Sequence, residues 1–186
     1  MSEPVNRFQE QFGASTERTT GKVRDHMHPW IQEFIRSAPF VVMATANREG
    51  HCDASPRGGR PGFVKVIDER TLVMPDVAGN RLFHSYSNID ENPEVGLVFF
   101  VPGVQETARV NGRVRIIADA ELERLDVELA VFDPDERAKN LQGLWIDVRE
   151  AYGHCPRALK HARFWNMETI QNNDEQPPVP KRPPGV

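Results

Sequence analysis

Cysteine is scarce: the chain of 186 residues carries only Cys52 and Cys155. Two thiols far apart in sequence, neither in a Cys-x-x-Cys pair, exclude a disulfide scaffold and a tetrahedral zinc site, and both read as reduced. Long apolar runs are missing as well. The longest, residues 95–104, is interrupted by Gly96, Pro102 and Gly103, far short of the roughly 20 residues a membrane span requires. No export signal opens the chain, since Met1-Ser2-Glu3-Pro4-Val5-Asn6-Arg7 is polar and no apolar core follows it, so the expected compartment is the cytoplasm. Nor is there an excess of positive charge. Lys and Arg number 23 against 27 Asp and Glu, a net charge of −4, which argues against a nucleic-acid-wrapping protein or one held on an anionic membrane surface.

What is present is a globular composition, 39% hydrophobic and 27% charged, at a length that suits one domain with tails. Residues 1–22 read as an N-terminal extension in which Phe8 and Phe12, at i and i+4, make one amphipathic turn. Residues 23–170 read as the domain. Residues 171–186, rich in proline and poor in apolar area, read as a disordered or polyproline-like tail.

Within the domain the hydrophobic period alternates. Pro29 at a first-turn position, followed by Trp30, Ile31, Phe34, Ile35 and Ala38, predicts a helix that stops before Pro39. Residues 40–46 read as a strand, Asn47-Arg48-Glu49-Gly50 as its turn and 51–55 as the return; 63–67 and 71–74 repeat the pattern around Asp68-Glu69-Arg70. Leu82, Phe83, Tyr86 and Ile89 then share one helical face that ends near Asn92-Pro93, with Gly79 and Asn80 as its cap. The apolar run 95–101 is expected to be a strand buried on both faces. In 107–117, Val110, Val114 and Ile116 alternate with Arg109, Arg113 and Arg115, and Gly112 marks a bulge. A helix over 120–132, a strand from Trp145 toward Tyr152 and a helix over 156–165 complete the pattern. Short strands with helices inserted, without strict β-α-β alternation, predict an α+β, mainly β protein built on an antiparallel barrel-like sheet.

Two segments carry chemistry suited to an anion. Asp53-Ala54-Ser55-Pro56-Arg57-Gly58-Gly59-Arg60-Pro61-Gly62 places a hydroxyl, guanidinium groups and glycines at one strand junction, and glycine backbone and arginine forks both suit a phosphate. Taken alone, it reads as a solvated loop with turn-forming glycines rather than a ligand site. Pro75-Asp76-Val77-Ala78-Gly79-Asn80-Arg81 offers unsatisfied amides and a cation at a helix start; its plain alternative is a solvated Arg81 and a capping Asn80. Because the two flank one hairpin, they are able to converge on one phosphate. The arginines of 109–115 read as the polar face of a strand, with Thr107 at its start able to donate to a ring edge. Tyr152-Gly153-His154-Cys155-Pro156-Arg157, with Lys160, His161, Arg163 and Trp165 behind it, has no metal spacing and no acid beside His154, so Cys155 reads as structural.

Taken in order, Phe40-Val41-Val42-Met43-Ala44-Thr45, Asp53-x-Ser55-Pro56-Arg57-Gly58, Pro61-Gly62-Phe63-Val64, Pro75-Asp76, Gly79-Asn80-Arg81, Asn92-Pro93-x-Val95-Gly96-Leu97, Pro102-Gly103 and Glu106-Thr107-x-Arg109-Val110-x-Gly112 resemble the pyridoxamine 5′-phosphate oxidase-related family of FMN-binding split barrels, over roughly residues 24–165. The resemblance implies a six-stranded antiparallel split β-barrel with flanking helices, paired as a homodimer with two FMN sites at the interface. It also implies that Ser55, Pro56, Arg57, Met74, Pro75, Asn80, Arg81 and Thr107 line the flavin, with Arg57 and Arg81 on the phosphate and Ser55, Pro56 and Thr107 near the ribityl chain or the ring. Two departures separate the chain from the oxidase itself: Leu82, not lysine, follows Arg81, and the carboxy-terminal Arg-Leu-His-Asp-Arg pattern is missing. The late motif His154-Cys155-Pro156-Arg157-Ala158 carries arginine where the most similar subgroup has lysine. The implied function is an FMN-dependent oxidoreductase on a small molecule, needing neither a metal nor a protein nucleophile. The alternatives are a non-catalytic flavin- or haem-binding carrier or sensor, and a deazaflavin-dependent reductase on the same fold.

Overall fold

The computed structural model describes residues 6–79, 81–136 and 138–183. Two short helices, α1 (Arg7–Phe12) and α2 (Glu17–Thr20), precede the body and bury no side chain; Phe8 and Phe12 are exposed. Helix α3 (Pro29–Ser37) follows the predicted pattern. The His28 ring accepts the Trp30 N–H at its start, Ile31, Phe34 and Ile35 form the buried stripe, and Ala38 turns extended ahead of Pro39.

The sheet is built from β1 (Phe40–Ala46), β2 (Cys52–Gly58), β3 (Lys65–Asp68), β4 (Thr71–Val77), β5 (Glu94–Phe100), β6 (Thr107–Ala118) and β7 (Asn140–His154). All pairings are antiparallel, in the order β2-β1-β5-β6-β7-β4-β3. The predicted class holds, with seven strands where the resemblance implied six. Strands β1 and β5 alternate, sending Val41, Met43, Leu97 and Phe99 inward against Ile35, Val110, Leu144 and Ile146. A smaller cluster of Val73, Ile117, Leu122 and Val127 lies under helix α5 (Asp119–Arg124). The register shift at Asn111 and Gly112 is the predicted bulge.

Three expectations need correction. Strand β5 is buried on one face only, because its other face, Gly96, Val98 and Phe100, lies on the outside of the curled sheet and is half-buried. Helix α4 (His84–Glu91) begins later than the hydrophobic spacing suggested: Arg81 and Phe83 are both left-handed, at φ +60° and +53°, and Leu82 and Phe83 are exposed rather than on the packed face. Helix α5 stops at Arg124 instead of running to 132. Asp126 turns left-handed at φ +54°, and the Lys65 ammonium donates to the carbonyls of Leu125 and Asp126 at 2.8 and 2.6 Å, which satisfies the end of the helix. The chain closes with α6 (Arg157–His161) and α7 (Met167–Glu175). No helix among the described residues is long and apolar enough to cross a membrane.

Candidate functional site

Two partly unpaired strand edges set the position of the site. β2 pairs only with β1, and β3 covers β4 only as far as Val73, so the second half of β4 has β7 on one side and no strand on the other among the described residues. Each open edge carries a proline, Pro56 and Pro75, whose missing N–H suits an unpaired position. The sheet curls until these edges face each other, and there Arg57 Nη1 donates to Asp76 Oδ1 at 2.7 Å. Helix α4 closes the end of the seam. Its Asn88 side chain donates to Thr45 Oγ1 at 3.1 Å, and its Ser85 hydroxyl donates to Asp53 Oδ2 at 2.5 Å. The result is a cleft of about 480 Å³, a size usual for small-molecule sites.

Alternation along β2 turns Asp53, Ser55 and Arg57 toward the cleft side, while Ala54 and Pro56 are exposed at its rim. Of the residues expected to meet the flavin, Ser55, Pro56, Arg57, Pro75 and Arg81 line this one cleft. Met74 does not line it; it is packed in the core with Leu144 as its partner on β7. Thr107 stands at the start of β6, three strands from β2 and on the sheet side opposite to Arg57, so it does not line the cleft of its own chain. Asn80 lies outside the described residues.

The electrostatics of the cleft centre on a buried carboxylate. Asp76 is only 6% exposed at its side chain, and it is partnered by Arg57, whose guanidinium also sits 5.8 Å from the Tyr86 ring centroid. Burial, and after it the neighbouring Asp76 charge, pushes the Tyr86 phenol well above its ordinary range, so this hydroxyl keeps its proton throughout the physiological range. One donor here, Arg57 Nε, is buried with no hydrogen-bond partner, while the Tyr86 hydroxyl lies beside Asp76 and Gln142. At the mouth, Arg81 is exposed and has no ion pair among the described residues, and the first turn of α4 has no side-chain cap. An uncapped helix start beside a cation, next to an inner donor lacking an acceptor, suits an oxyanion at the mouth with an acceptor-bearing group deeper in the cleft.

Asp76, Ser85 and Tyr86 were not singled out by the sequence reading. One signal for Asp76 was available: a lone carboxylate inside Thr71-Leu72-Val73-Met74-Pro75-Asp76-Val77, where an ionisable group in a buried strand needs a partner. Tyr86 looked like an ordinary member of an apolar helix face, and only the closing of α4 over β2 puts its hydroxyl beside Asp76.

The pyridoxamine 5′-phosphate oxidase family profile matches residues 27–155. Among solved structures, a HupZ variant from Group A Streptococcus is similar at 14% identity and a TM-score of 0.51, over 69% of this chain and 99% of its own. A candidate pyridoxamine 5′-phosphate oxidase from Lactobacillus delbrueckii is similar at 18% identity and a TM-score of 0.50, over 69% of this chain and 95% of its own. At such identities the likeness concerns the fold. No curated protein matches the chain in sequence. The family match takes in every strand and both edges of the cleft, and the chain belongs to the pyridoxamine 5′-phosphate oxidase family.

Proposed function

We propose that the protein is an FMN-binding flavoprotein and an oxidoreductase for a small molecule, with the flavin held in the cleft at the sheet seam. The observation that carries this reading is the convergence of Arg57 and Arg81, from separate segments, on one cleft. The residues present fit the group. Arg81 and the uncapped start of α4 suit the phosphate. Arg57 shares its charge with Asp76, so its part is to hold the inner wall and offer its unpartnered Nε–H. A bound flavin would supply the hydride or electron transfer, and the chain would bind and orient it and keep water from it.

The same reading pairs two copies of the chain. The outward face of the sheet carries Val42, Val98, Ala44, Gly96 and Phe100, with Ala54 and Pro56 at its edge, an apolar patch that a single chain leaves half-covered or exposed. Seated there, a second copy reaches the cleft rim over β2, and its Thr107, on that same outward side, is carried toward a flavin it does not meet in its own chain.

Titration of the purified full chain with FMN, followed by flavin absorbance and fluorescence, tests the reading. Saturable binding is expected, at least tenfold weaker in Arg81→Glu, whose exposed side chain leaves the melting temperature unchanged. No binding, or equal binding by the variant, defeats it. A parallel titration with a deazaflavin separates the two cofactors, and oxidation of a nicotinamide donor by the loaded protein separates an enzyme from a carrier. Arg57→Glu is a poorer test, since it sets a second carboxylate against Asp76.

A further inference from the structure

The segment after β7, with Lys160, Arg163 and Trp165, takes no part in the cleft. It folds over the connection between β5 and β6. Helix α6 ends in a Schellman-type turn in which the Phe164 N–H reaches the Leu159 carbonyl at 3.0 Å. Arg163 occupies the left-handed position of that turn at φ +49°, a place glycine usually takes. The chain thereby doubles back, Phe164 and Trp165 pack edge to face at 4.7 Å, and Asn166 caps α7 with its side-chain oxygen. Between this fold-back and Gln105 lies an open notch lined by Gln105, Leu159, Lys160, Arg163, Trp165 and Asn166.

Two polar atoms belonging to the lining residues are buried without a partner: Trp165 Nε1, which can only donate, and the side-chain oxygen of Gln105. Native structures seldom leave such groups unpaired, because each forfeits a hydrogen bond it made in water. Lys160 and Arg163 form no ion pair among the described residues, and no carboxylate lines the notch. The site is thus a set of donors and cations lacking an oxyanion, beside one acceptor lacking a donor. A planar carboxylate matches the arginine fork and the indole N–H, and the unpaired Gln105 oxygen calls for a donor on the same ligand. Leu159 and the indole supply an apolar wall for a short carbon skeleton.

We infer that this notch binds a small carboxylate bearing a hydroxyl or amino group, with the carboxylate toward Lys160, Arg163 and the Trp165 N–H and the ligand's own donor toward Gln105. Within one chain the notch shares no lining residue with the cleft at the sheet seam.

The test follows the indole N–H resonances of the three tryptophans in the ¹⁵N-labelled full chain during addition of lactate. Lactamide serves as the uncharged control and inorganic phosphate as the competing anion. A saturable shift confined to the Trp165 resonance is expected with lactate. It should be absent with lactamide and at least tenfold weaker in the Lys160→Gln/Arg163→Gln variant, whose exposed substitutions leave melting unchanged. A Trp165 resonance that ignores lactate overturns the assignment, as does one that moves as strongly with lactamide or phosphate, or as strongly in the variant.

Discussion

Arg57 on β2 and Asp76 on β4 meet at 2.7 Å, although four strands stand between theirs in the hydrogen-bonded order of the sheet. This ion pair closes the seam where hydrogen bonds do not. It also takes up part of the charge of an arginine that sequence alone would assign wholly to a phosphate, and leaves Arg81 as the exposed cation lining the cleft.

Removal of one partner leaves the other buried and uncompensated. Asp76→Ala is expected to destabilise the fold by about 3 kcal/mol, and the double variant Asp76→Leu/Arg57→Met by clearly less than the sum of the two single changes. Urea denaturation of the single and double variants measures the coupling. Additive losses would show that the pair does not hold the seam.

The outward sheet face makes a separate prediction about assembly. Light scattering on the purified chain should give a dimer, and Val42→Asp, which places a charge opposite Val98 on that face, should give a folded monomer with weakened flavin binding. A wild-type monomer with full flavin affinity would remove the second copy from the site.

An acid-labile cluster joins the segment before α3 to the β3–β4 turn. Asp25 accepts from His26 at 2.8 Å and from Arg70 at 2.9 Å, and these two partners, His26 first, hold its carboxyl down at about 2 from an ordinary 3.8. Because the folded value is the lower one, the stabilisation is fully present above about pH 4 and is lost as the pH falls through about 2. Thermal melts of wild type and Asp25→Asn should therefore differ at pH 6 and converge toward pH 2. A difference that stays constant across this range would show that the charge is not involved.

Gly112 sits at the β6 bulge against the carbonyl oxygen of Asp147, where a Cβ would collide with backbone that cannot move aside. Gly112→Ala should cost about 2 kcal/mol in chemical denaturation, with the cleft, which Gly112 does not line, unaffected once the variant is folded. A neutral substitution would show that the bulge relaxes.

How far the molecule could be read from its residues follows from the range of the interactions involved. Hydrophobic period, proline and turn chemistry act over a few residues. They were enough for α3, for all seven strand segments, for the Gly112 bulge and, with the order of motifs, for the family and for the nearness of Ser55, Pro56, Arg57, Pro75 and Arg81 to one cleft. The end of α5 escapes that range because a side chain remote in sequence decides it, and the start of α4 because backbone conformation overrides the apolar spacing there. Lys65 satisfies the last carbonyls at the end of α5, and two left-handed residues delay α4 despite an apolar spacing that continues through Leu82 and Phe83. The pairing of Arg57 with Asp76, the approach of Tyr86 to both, and the placing of Met74 in the core and Thr107 on the far side of the sheet were settled by the curl of the sheet. That curl is a sum of small twists over seven strands, and no local stretch of residues encodes where its two edges will meet.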